Sequence, residues 1–363
     1  MIALLQLRAP MQTAFHTIAG DVNARRVSIL DQTLLPWQAV YRELASLDEA
    51  AHAIRSMQVR GAPLIGVTAA FGIALALEAS ADDAMLAHAL ATLRATRPTA
   101  VNLHWALDSM AAVLRPCNPE ARRELAWREA QAIADEDART NAEIGRHGLA
   151  LLERLAATGG RVRVMTHCNA GWLATTAHGT ALAPIYAAHA AGIEVEVWVS
   201  ETRPRNQGLL TAWELARAGV PHKVIADNGA GHLLMQGDVD LLIVGADRIA
   251  ANGDTANKIG TYLKALAAFD CGVAFHVAAP LTTVDWRAAD GRAIPIEQRD
   301  AAEVRRITGS DEQGRVVEVR LLPESAAVGN PAFDVTPARL IQGFITERGC
   351  FTPGQLGRLT PSM

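Results

Sequence analysis

Five short apolar segments in the second half of the chain each end in polar or small residues. They lie between residues 161 and 280 and read RVRVMTH, EVEVWVS, HKVIAD, VDLLIVGAD and GVAFHVAAP. Stretches with helical spacing of apolar residues separate them, around residues 177–190, 208–218, 229–236 and 256–268. Apolar strands that alternate with amphipathic helices predict an α/β fold, a parallel sheet covered by helices on both faces. Ligands bind such sheets at the carboxyl ends of the strands, so we expect these polar ends to line one site.

The first part of the chain is predicted to be mainly helical after a small strand-bearing start. VSILDQTLLP, which ends at Pro36, predicts a strand and a turn, and TGG at residues 158–160 interrupts the helical pattern. Helical spacing recurs over residues 37–57, 62–80, 82–96, from 98 onward, and over 118–157. A length of 363 residues favours two domains over one. We therefore expect a mainly helical N-terminal domain over 1–157 and a sheet domain over 158–363.

Composition excludes several classes of protein. Half of the residues are apolar and a fifth are charged, and the net charge is -4, which argues against both disorder and a strongly basic nucleic-acid surface. The four cysteines lie far apart and form no CxxC pair, so a reducing compartment fits better than a disulfide framework. The N-terminus lacks a basic start and no uncharged apolar stretch reaches about 20 residues. We expect a cytoplasmic protein that binds neither membrane nor nucleic acid.

Motifs for nucleotides, metals and acyl transfer are missing from the sequence or incomplete. There is no GxxxxGK[ST] loop, and GAGHLL has Leu234 where a dinucleotide-binding turn needs its third glycine. His167 and Cys168 are metal ligands in type, but neighbours on a strand face opposite ways and no second cluster follows. No GxSxG turn is present. We therefore expect neither a cofactor nor a metal.

Basic residues just before predicted helix starts suggest sites for an anion. Arg60 precedes a helix expected to begin at Pro63, and Arg97 precedes the helix of RPTAVN. Free backbone N–H groups and the helix dipole favour anions there, although each arginine is equally well explained as a solvated surface charge.

Two further strand–helix turns place polar side chains at the same rim. In NGDTANKIG, Asp254 or Thr255 is expected to cap the next helix and to leave Asn257 and Lys258 in its first turn. Lys258 is then either an anion ligand or an ordinary surface lysine. Gln207, in ETRPRNQG, either faces the rim or bonds its own backbone at a helix start.

Asp247 and Cys168 end two of the apolar strands. Burial at the end of VDLLIVGAD raises the pKa of a carboxyl group, which suits a general acid, but Asp247 is equally well placed to pair with Arg248 or to cap a turn. Cys168 is a candidate nucleophile, metal ligand or acid–base group, or an ordinary buried thiol. The spacing does not establish that the two side chains meet.

Seven motifs together resemble the methylthioribose-1-phosphate isomerase family. They are RGAPLIGVTAAFG, RPTAVN, THCNAG, ETRPRNQG, VGADRIAANGDTANKIGTY, VAAPLTT and NPAFDVTP, and they run from about Asp31 to Gly349. The superfamily also contains regulatory subunits of a translation-initiation exchange factor and ribose-1,5-bisphosphate isomerases. The resemblance implies a helical N-terminal domain, a Rossmann-like C-terminal domain, a homodimer, and conversion of 5-methylthioribose 1-phosphate to 5-methylthioribulose 1-phosphate in methionine salvage.

The resemblance also assigns roles to residues of this chain. It implies that Asp247 is the proton donor and Cys168 the essential thiol. It implies that the substrate-binding residues are Arg60, Gly61, Ala62, Arg97, Gln207, Asn257 and Lys258. Two positions depart from the family pattern, Trp172 and Gly229, and both are expected near the rim, where they bear on the preferred 5-substituent.

Two alternative functions stay open. The first is an isomerase of a sibling sugar 1-phosphate, such as 5-deoxyribose 1-phosphate or ribose 1,5-bisphosphate, and the second is a non-catalytic subunit that senses a phosphorylated ligand. The presence of both Cys168 and Asp247 favours an enzyme.

Overall fold

The structure is a computed structural model that describes residues 16–359. Three antiparallel strands come first, β1 (Ile18–Asp21), β2 (Arg26–Leu30) and β3 (Tyr41–Leu44), followed by helix α1 (Leu47–Arg55). The helix predicted over 37–57 is therefore wrong in its first half. Ser46 fixes the true start because its side chain accepts a hydrogen bond from the backbone N–H of Glu49, which is a standard N-cap.

A buried helix forms the centre of the N-terminal part. The four further helices here are α2 (Ala62–Ala79), α3 (Asp83–Arg94), α4 (Val101–Leu114) and α5 (Pro119–Ala156). Helix α2 is apolar on all sides because α1, α3, α4 and α5 surround it. Among the described helices, α2 alone has the length and hydropathy of a membrane span, but 78% of it is buried inside the protein, as in the core helix of a globular domain.

Helix α5, which has 38 residues, connects two hydrophobic cores. Trp127 in its first half packs in the core around α2, whereas Ile144 and Leu152 pack in the core of the sheet that follows. Because α5 takes part in both cores, the domain division at 157/158 stays a prediction.

The second half of the chain contains the sheet and its covering helices. The elements in chain order are β4 (Val162–Thr166), α6 (Ala183–Ala190), β5 (Val195–Ser200), α7 (Gln207–Arg217), β6 (His222–Ile225), α8 (Gly229–Met235), β7 (Leu241–Val244), β8 (Arg248–Ala250), β9 (Thr255–Lys258), α9 (Thr261–Asp270), β10 (Ala274–Ala278), β11 (Val284–Asp285), α10 (Ala302–Arg305), β12 (Arg306–Ser310), β13 (Val316–Arg320), β14 (Phe333–Thr336), β15 (Gly343–Thr346), β16 (Gly349–Phe351) and α11 (Pro353–Leu356).

All five predicted apolar segments are strands of one seven-stranded sheet with the order β16-β15-β10-β7-β4-β5-β6. Pairing is parallel except at the edge strand β16. Successive side chains enter opposite cores, as the period of two in a strand requires: Val164 packs with α5 and α6, whereas Met165 packs with α8 and α9. The predicted α/β class, with a parallel sheet and a helical N-terminal part, is confirmed.

A smaller sheet of order β11-β8-β9-β14 corrects the prediction for Asn257 and Lys258. These residues lie on β9 rather than in a helix, because β9 pairs with β14 and β8. Helix α9 begins only at Thr261. Its free N–H groups are capped by Asp334, which accepts hydrogen bonds from Gly260 and Tyr262 at 2.7 and 3.0 Å. A cap from 72 to 74 residues further along the chain leaves no local signal in NGDTANKIG.

Candidate active site

One cavity lies where the strand ends of the large sheet face the start of α2 and the strand β9. It is lined by every residue predicted for the site, namely Arg60, Gly61, Ala62, Arg97, Cys168, Gln207, Asp247, Asn257 and Lys258. The structure thus brings together residues from six separate segments of the chain.

Cys168 follows β4 in a turn with a positive φ of 68°. Its backbone N–H donates to Oγ1 of Thr202 at 2.9 Å, and its carbonyl accepts from Oγ1 of Thr211 at 2.8 Å. Burial raises the pKa of the Cys168 thiol, whereas the cations of Arg60 and Lys258 oppose that shift. The site therefore holds a thiol whose ionisation depends on nearby positive charge.

Asp247 is a second titratable group in the cavity. Burial raises the pKa of its carboxyl group, and Lys258, Arg97 and Arg60 oppose the rise. Its expected alternative partner, Arg248, instead lies 3.3 Å from Asp285. No described residue forms a hydrogen bond with the Asp247 carboxyl, which leaves its oxygens available to a ligand in the cavity.

Arg60 and the start of α2, where the sequence suggested an anion site, lie together at the cavity. The Arg60 guanidinium donates to Oδ1 and to the carbonyl of Asn169, each at 2.8 Å, so it is not a solvated surface charge. Helix α2 begins at Ala62, one residue before the predicted Pro63. Gly61 has φ 97°, and a Cβ on it would lie 2.5 Å from backbone atoms of Ala174. Only glycine fits there. Because residue 61 has no side chain, its backbone can line the cavity.

Arg97 and Gln207 carry buried polar atoms with no partner among the described residues. These atoms are Nε of Arg97 and Oε1 of Gln207. Gln207 is the first residue of α7 and is 7% exposed, but its oxygen does not bond the backbone of its own helix. The Nη2 nitrogen of Arg97 lies 3.8 Å from Oε2 of Glu297. Buried atoms without partners are costly, so both are suited to contact a polar ligand.

Asn257 and Lys258 reach the cavity from β9. Nδ2 of Asn257 donates to Oγ1 of Thr261 at 3.0 Å. Nζ of Lys258 donates to the carbonyl of Ala332 at 3.0 Å and lies 4.6 Å above the ring of Phe333. Lys258 is 9% exposed, and burial lowers the pKa of its ammonium group while Cys168 and Asp247 raise it. It is therefore an interior cation of the site and not an ordinary surface lysine.

The cavity also contains residues that sequence reasoning missed. Asn169 belongs to the motif THCNAG and Arg205 to the motif ETRPRNQG, so membership of a motif could have identified both. Arg299 belongs to none of the seven motifs, and no sequence signal pointed to it. Trp172 and Gly229 follow the ends of β4 and β6, but neither lines the cavity, so their effect on the preferred 5-substituent stays a prediction. The ring of Trp172 packs against that of Trp213, with ring centroids 5.6 Å apart.

The site has no grouping typical of a metal centre. Over residues 16–359, no three His, Cys, Asp or Glu side chains are arranged as ligands of one ion. Nε2 of His167 lies 2.8 Å from the carbonyl of Ile259 and so donates to it, and burial lowers the pKa of this histidine to about 3. His167 is thus a neutral, hydrogen-bonded side chain beside Cys168.

Comparison with known proteins gives consistent matches over most of the chain. The model of the initiation factor 2 subunit family matches residues 58–353. A methylthioribose-1-phosphate isomerase of Dechloromonas aromatica is 60% identical over 335 residues, which is 92% of each chain, and one of Methylorubrum populi is 57% identical over 92% of this chain and 93% of its own.

Solved structures agree with these matches. The crystal structure of 5-methylthioribose 1-phosphate isomerase from Pyrococcus horikoshii superposes with a TM-score of 0.81 at 39% identity and 94% coverage of both chains. The structure described as translation initiation factor eIF-2B, subunit delta, from A. fulgidus has a TM-score of 0.77 at 36% identity, with 94% of this chain and 97% of that chain covered.

Proposed function

This chain belongs to the initiation factor 2 subunit family and, within it, to the methylthioribose-1-phosphate isomerases, and we propose that Asp247 and Cys168 perform its chemistry. It is an aldose–ketose isomerase that converts 5-methylthioribose 1-phosphate to 5-methylthioribulose 1-phosphate in methionine salvage. The observation that carries the proposed roles is that Asp247 and Cys168 line one cavity together with Arg60, Arg97 and Lys258. An acid and a thiol thus share a site with three cations suited to a phosphate.

The substrate sets a specific chemical problem for the enzyme. Its anomeric oxygen carries the phosphate, so the sugar ring cannot open to a free aldehyde. We propose that Asp247, whose pKa is raised by burial, donates a proton to the ring oxygen as the bond from C1 to that oxygen breaks. The positive charge then develops at C1, and the Asp247 carboxylate left behind stabilises it.

Hydrogen then moves from C2 to C1 by one of two routes. In the first, the Cys168 thiolate removes the C2 proton to give an enol, the resulting thiol protonates C1, and the 2-hydroxyl proton passes to Asp247. In the second, hydride shifts directly from C2 to C1 while the 2-hydroxyl proton returns to Asp247, and Cys168 shields the path. Both routes end with the ketone at C2 and a protonated Asp247. Either benefits from a site that excludes water.

We propose that seven residues of the cavity bind the substrate, namely Arg60, Gly61, Ala62, Arg97, Gln207, Asn257 and Lys258. Guanidinium groups and the N–H groups at the start of α2 suit the phosphate, since charged and bidentate donors bind phosphate oxygens strongly. The partnerless oxygen of Gln207 suits a sugar hydroxyl.

The decisive experiment incubates the purified protein with 5-methylthioribose 1-phosphate and follows the ketose by NMR. Appearance of 5-methylthioribulose 1-phosphate supports the proposal, whereas binding without turnover would indicate a ligand-sensing subunit. The same reaction in deuterated water distinguishes the two routes, since deuterium at C1 indicates proton transfer and complete retention of the C2 hydrogen favours hydride transfer. Parallel kcat/KM values for 5-deoxyribose 1-phosphate and ribose 1,5-bisphosphate measure the preference for the 5-substituent.

The setting of the enzyme is also a proposal. We infer a cytoplasmic homodimer of two-domain chains, divided at 157/158, that works without a cofactor and contacts neither nucleic acid nor membrane. The net charge of -4 and the widely spaced cysteines support this setting. Light scattering after size-exclusion chromatography tests the dimer directly, because a monomer mass would contradict it.

A further inference from the structure

Glu214 is a carboxylate that the protein keeps entirely out of water. It lies on α7 and is 0% exposed. A buried carboxylate is costly unless several donors satisfy it. Glu214 does not line the cavity. Its burial therefore needs an explanation other than contact with substrate.

Four donors surround this carboxylate. They are Nδ2 of Asn169 at 2.7 Å, the backbone N–H groups of Trp172 and Leu173 at 2.8 and 3.1 Å, and the hydroxyl of Tyr186 at 2.9 Å. Every contact donates to Glu214, which suits the ionised form, although burial raises the pKa of the carboxyl group to about 7. Glu214 thus fixes the loop that begins at Cys168.

Asn169 connects Glu214 to the cavity. Its amide nitrogen donates to Glu214, while its amide oxygen and its carbonyl accept from Arg60 at 2.8 Å. An anion on one side and a cation on the other determine which way the amide of Asn169 faces. Thr211 supports the same arrangement, since its hydroxyl accepts from Asn169 at 3.2 Å and donates to the carbonyl of Cys168 at 2.8 Å.

We propose that Glu214 is a positioning residue that acts through Asn169 to hold the Arg60 guanidinium in the orientation that binds the substrate's phosphate. This inference rests on the phosphate-binding role proposed above for Arg60. Replacing Glu214 with glutamine removes the charge and turns one acceptor into an NH2 group facing donors. The Asn169 amide is then free to rotate, and Arg60 loses its fixed contacts with Oδ1 of Asn169, while the backbone carbonyl of Asn169 stays in place.

The test is a double-mutant cycle of Glu214→Gln with Arg60→Ala, with inorganic phosphate as the probe and calorimetry as the readout. In the wild-type background we expect Glu214→Gln to weaken phosphate binding by about 10-fold, and in the Arg60→Ala background by less than about twofold. With substrate, KM should rise more than kcat falls. A merely structural role would lower stability and leave the two penalties additive.

Glu196→Gln is the matched control. Glu196 is also a buried glutamate of the sheet domain, but it pairs with Arg161 and Lys223 and does not line the cavity. It should leave phosphate binding unchanged. Phosphate binding by Glu214→Gln within twofold of wild type, or additive penalties, would overturn the proposal.

Thr211→Val keeps the proposal testable if Glu214→Gln does not fold. It removes the hydroxyl that supports Asn169 and preserves side-chain shape, and we expect a loss of phosphate affinity of about threefold that disappears in the Arg60→Ala background. Equal losses in both backgrounds would contradict the positioning role. Absence of turnover by the wild-type protein would instead refute the proposed function. The double-mutant cycle measured with inorganic phosphate would still test the positioning role of Glu214.

Discussion

The backbone N–H of Cys168 donates to Oγ1 of Thr202 at 2.9 Å, which joins the loops that follow β4 and β5. Both residues have positive φ angles, 68° and 66°. Such a conformation costs a non-glycine residue about 1 kcal/mol or more, so the surrounding contacts must hold it. The Thr202 hydroxyl is itself fixed, because it donates to the carbonyl of Ser200 at 2.9 Å. The hydroxyl of Thr202, from the neighbouring strand end, thus holds the backbone N–H of the candidate catalytic residue, while the hydroxyl of Thr211 holds its carbonyl.

Thr202→Val should lower kcat by about 10-fold, because it removes this acceptor without changing side-chain shape and lets the turn of Cys168 relax. Thr202→Ser keeps the hydroxyl and is the matched control, expected to retain turnover within about twofold. Steady-state assays of both variants, with unfolding curves to verify the fold, measure the effect. Equal activity of the two variants would show that the hydroxyl does not position Cys168.

Asp247→Asn should reduce turnover at least ~100-fold, the usual loss when a positioned acid is removed. The amide is nearly isosteric but cannot protonate the ring oxygen. Asp270→Asn, an exposed change at the end of α9, is the control and should behave as wild type. Substrate binding by Asp247→Asn should persist, since the cations of the cavity remain. A normal kcat would exclude Asp247 as the acid.

Cys168→Ser should also reduce kcat at least ~100-fold if the sulfur moves the proton, because a hydroxyl group ionises far less readily than a thiol. A loss of less than about 10-fold would indicate that Cys168 only shields a hydride shift. Cys271→Ala is the comparison, since Cys271 lies at the end of α9 and does not line the cavity. Rates from single-turnover reactions make the distinction clear.

The sequence predicted the sheet and the membership of the cavity better than it predicted local geometry. Apolar strands with polar ends can be recognised from the spacing and type of the residues in the sequence. The rim of the sheet that carries Cys168 and Asp247 could therefore be predicted. Lys258 was placed at the right rim but on the wrong element, because pairing with β14 is a long-range contact. Glu214 could not be found, since a glutamate in a helix has no sequence signal for the four donors that the fold brings to it.

Stability should fall in acid partly through His276, which lies on β10 against Gly343. Burial lowers its pKa from 6.5 to about 4. Between these values the unfolded chain binds a proton that the folded chain does not, so unfolding becomes easier as the pH falls through this window. The full shift corresponds to at most about 3 kcal/mol.

His276→Gln removes this titration, so its free energy of unfolding should depend less steeply on pH than that of the wild type. Urea unfolding at pH 7 and at pH 4.5 measures the difference. His88→Gln, at an exposed position on α3, is the control and should follow the wild-type curve. An unchanged slope in His276→Gln would show that this histidine does not contribute.

Gly61→Ala should damage both stability and substrate binding, because two costs coincide at that position. Its φ of 97° is unfavourable for any side chain, and the new Cβ would approach backbone atoms of Ala174 to 2.5 Å. Gly159→Ala isolates the first cost, since Gly159 has φ 98° but nothing within 4 Å of the new Cβ. We expect Gly159→Ala to lose about 1 kcal/mol of unfolding free energy, and Gly61→Ala to lose more and to raise KM at least ~10-fold as the start of α2 is pushed away from the cavity. Similar losses in the two variants, with KM unchanged in Gly61→Ala, would mean that the close approach of the backbone at Gly61 does not shape the site.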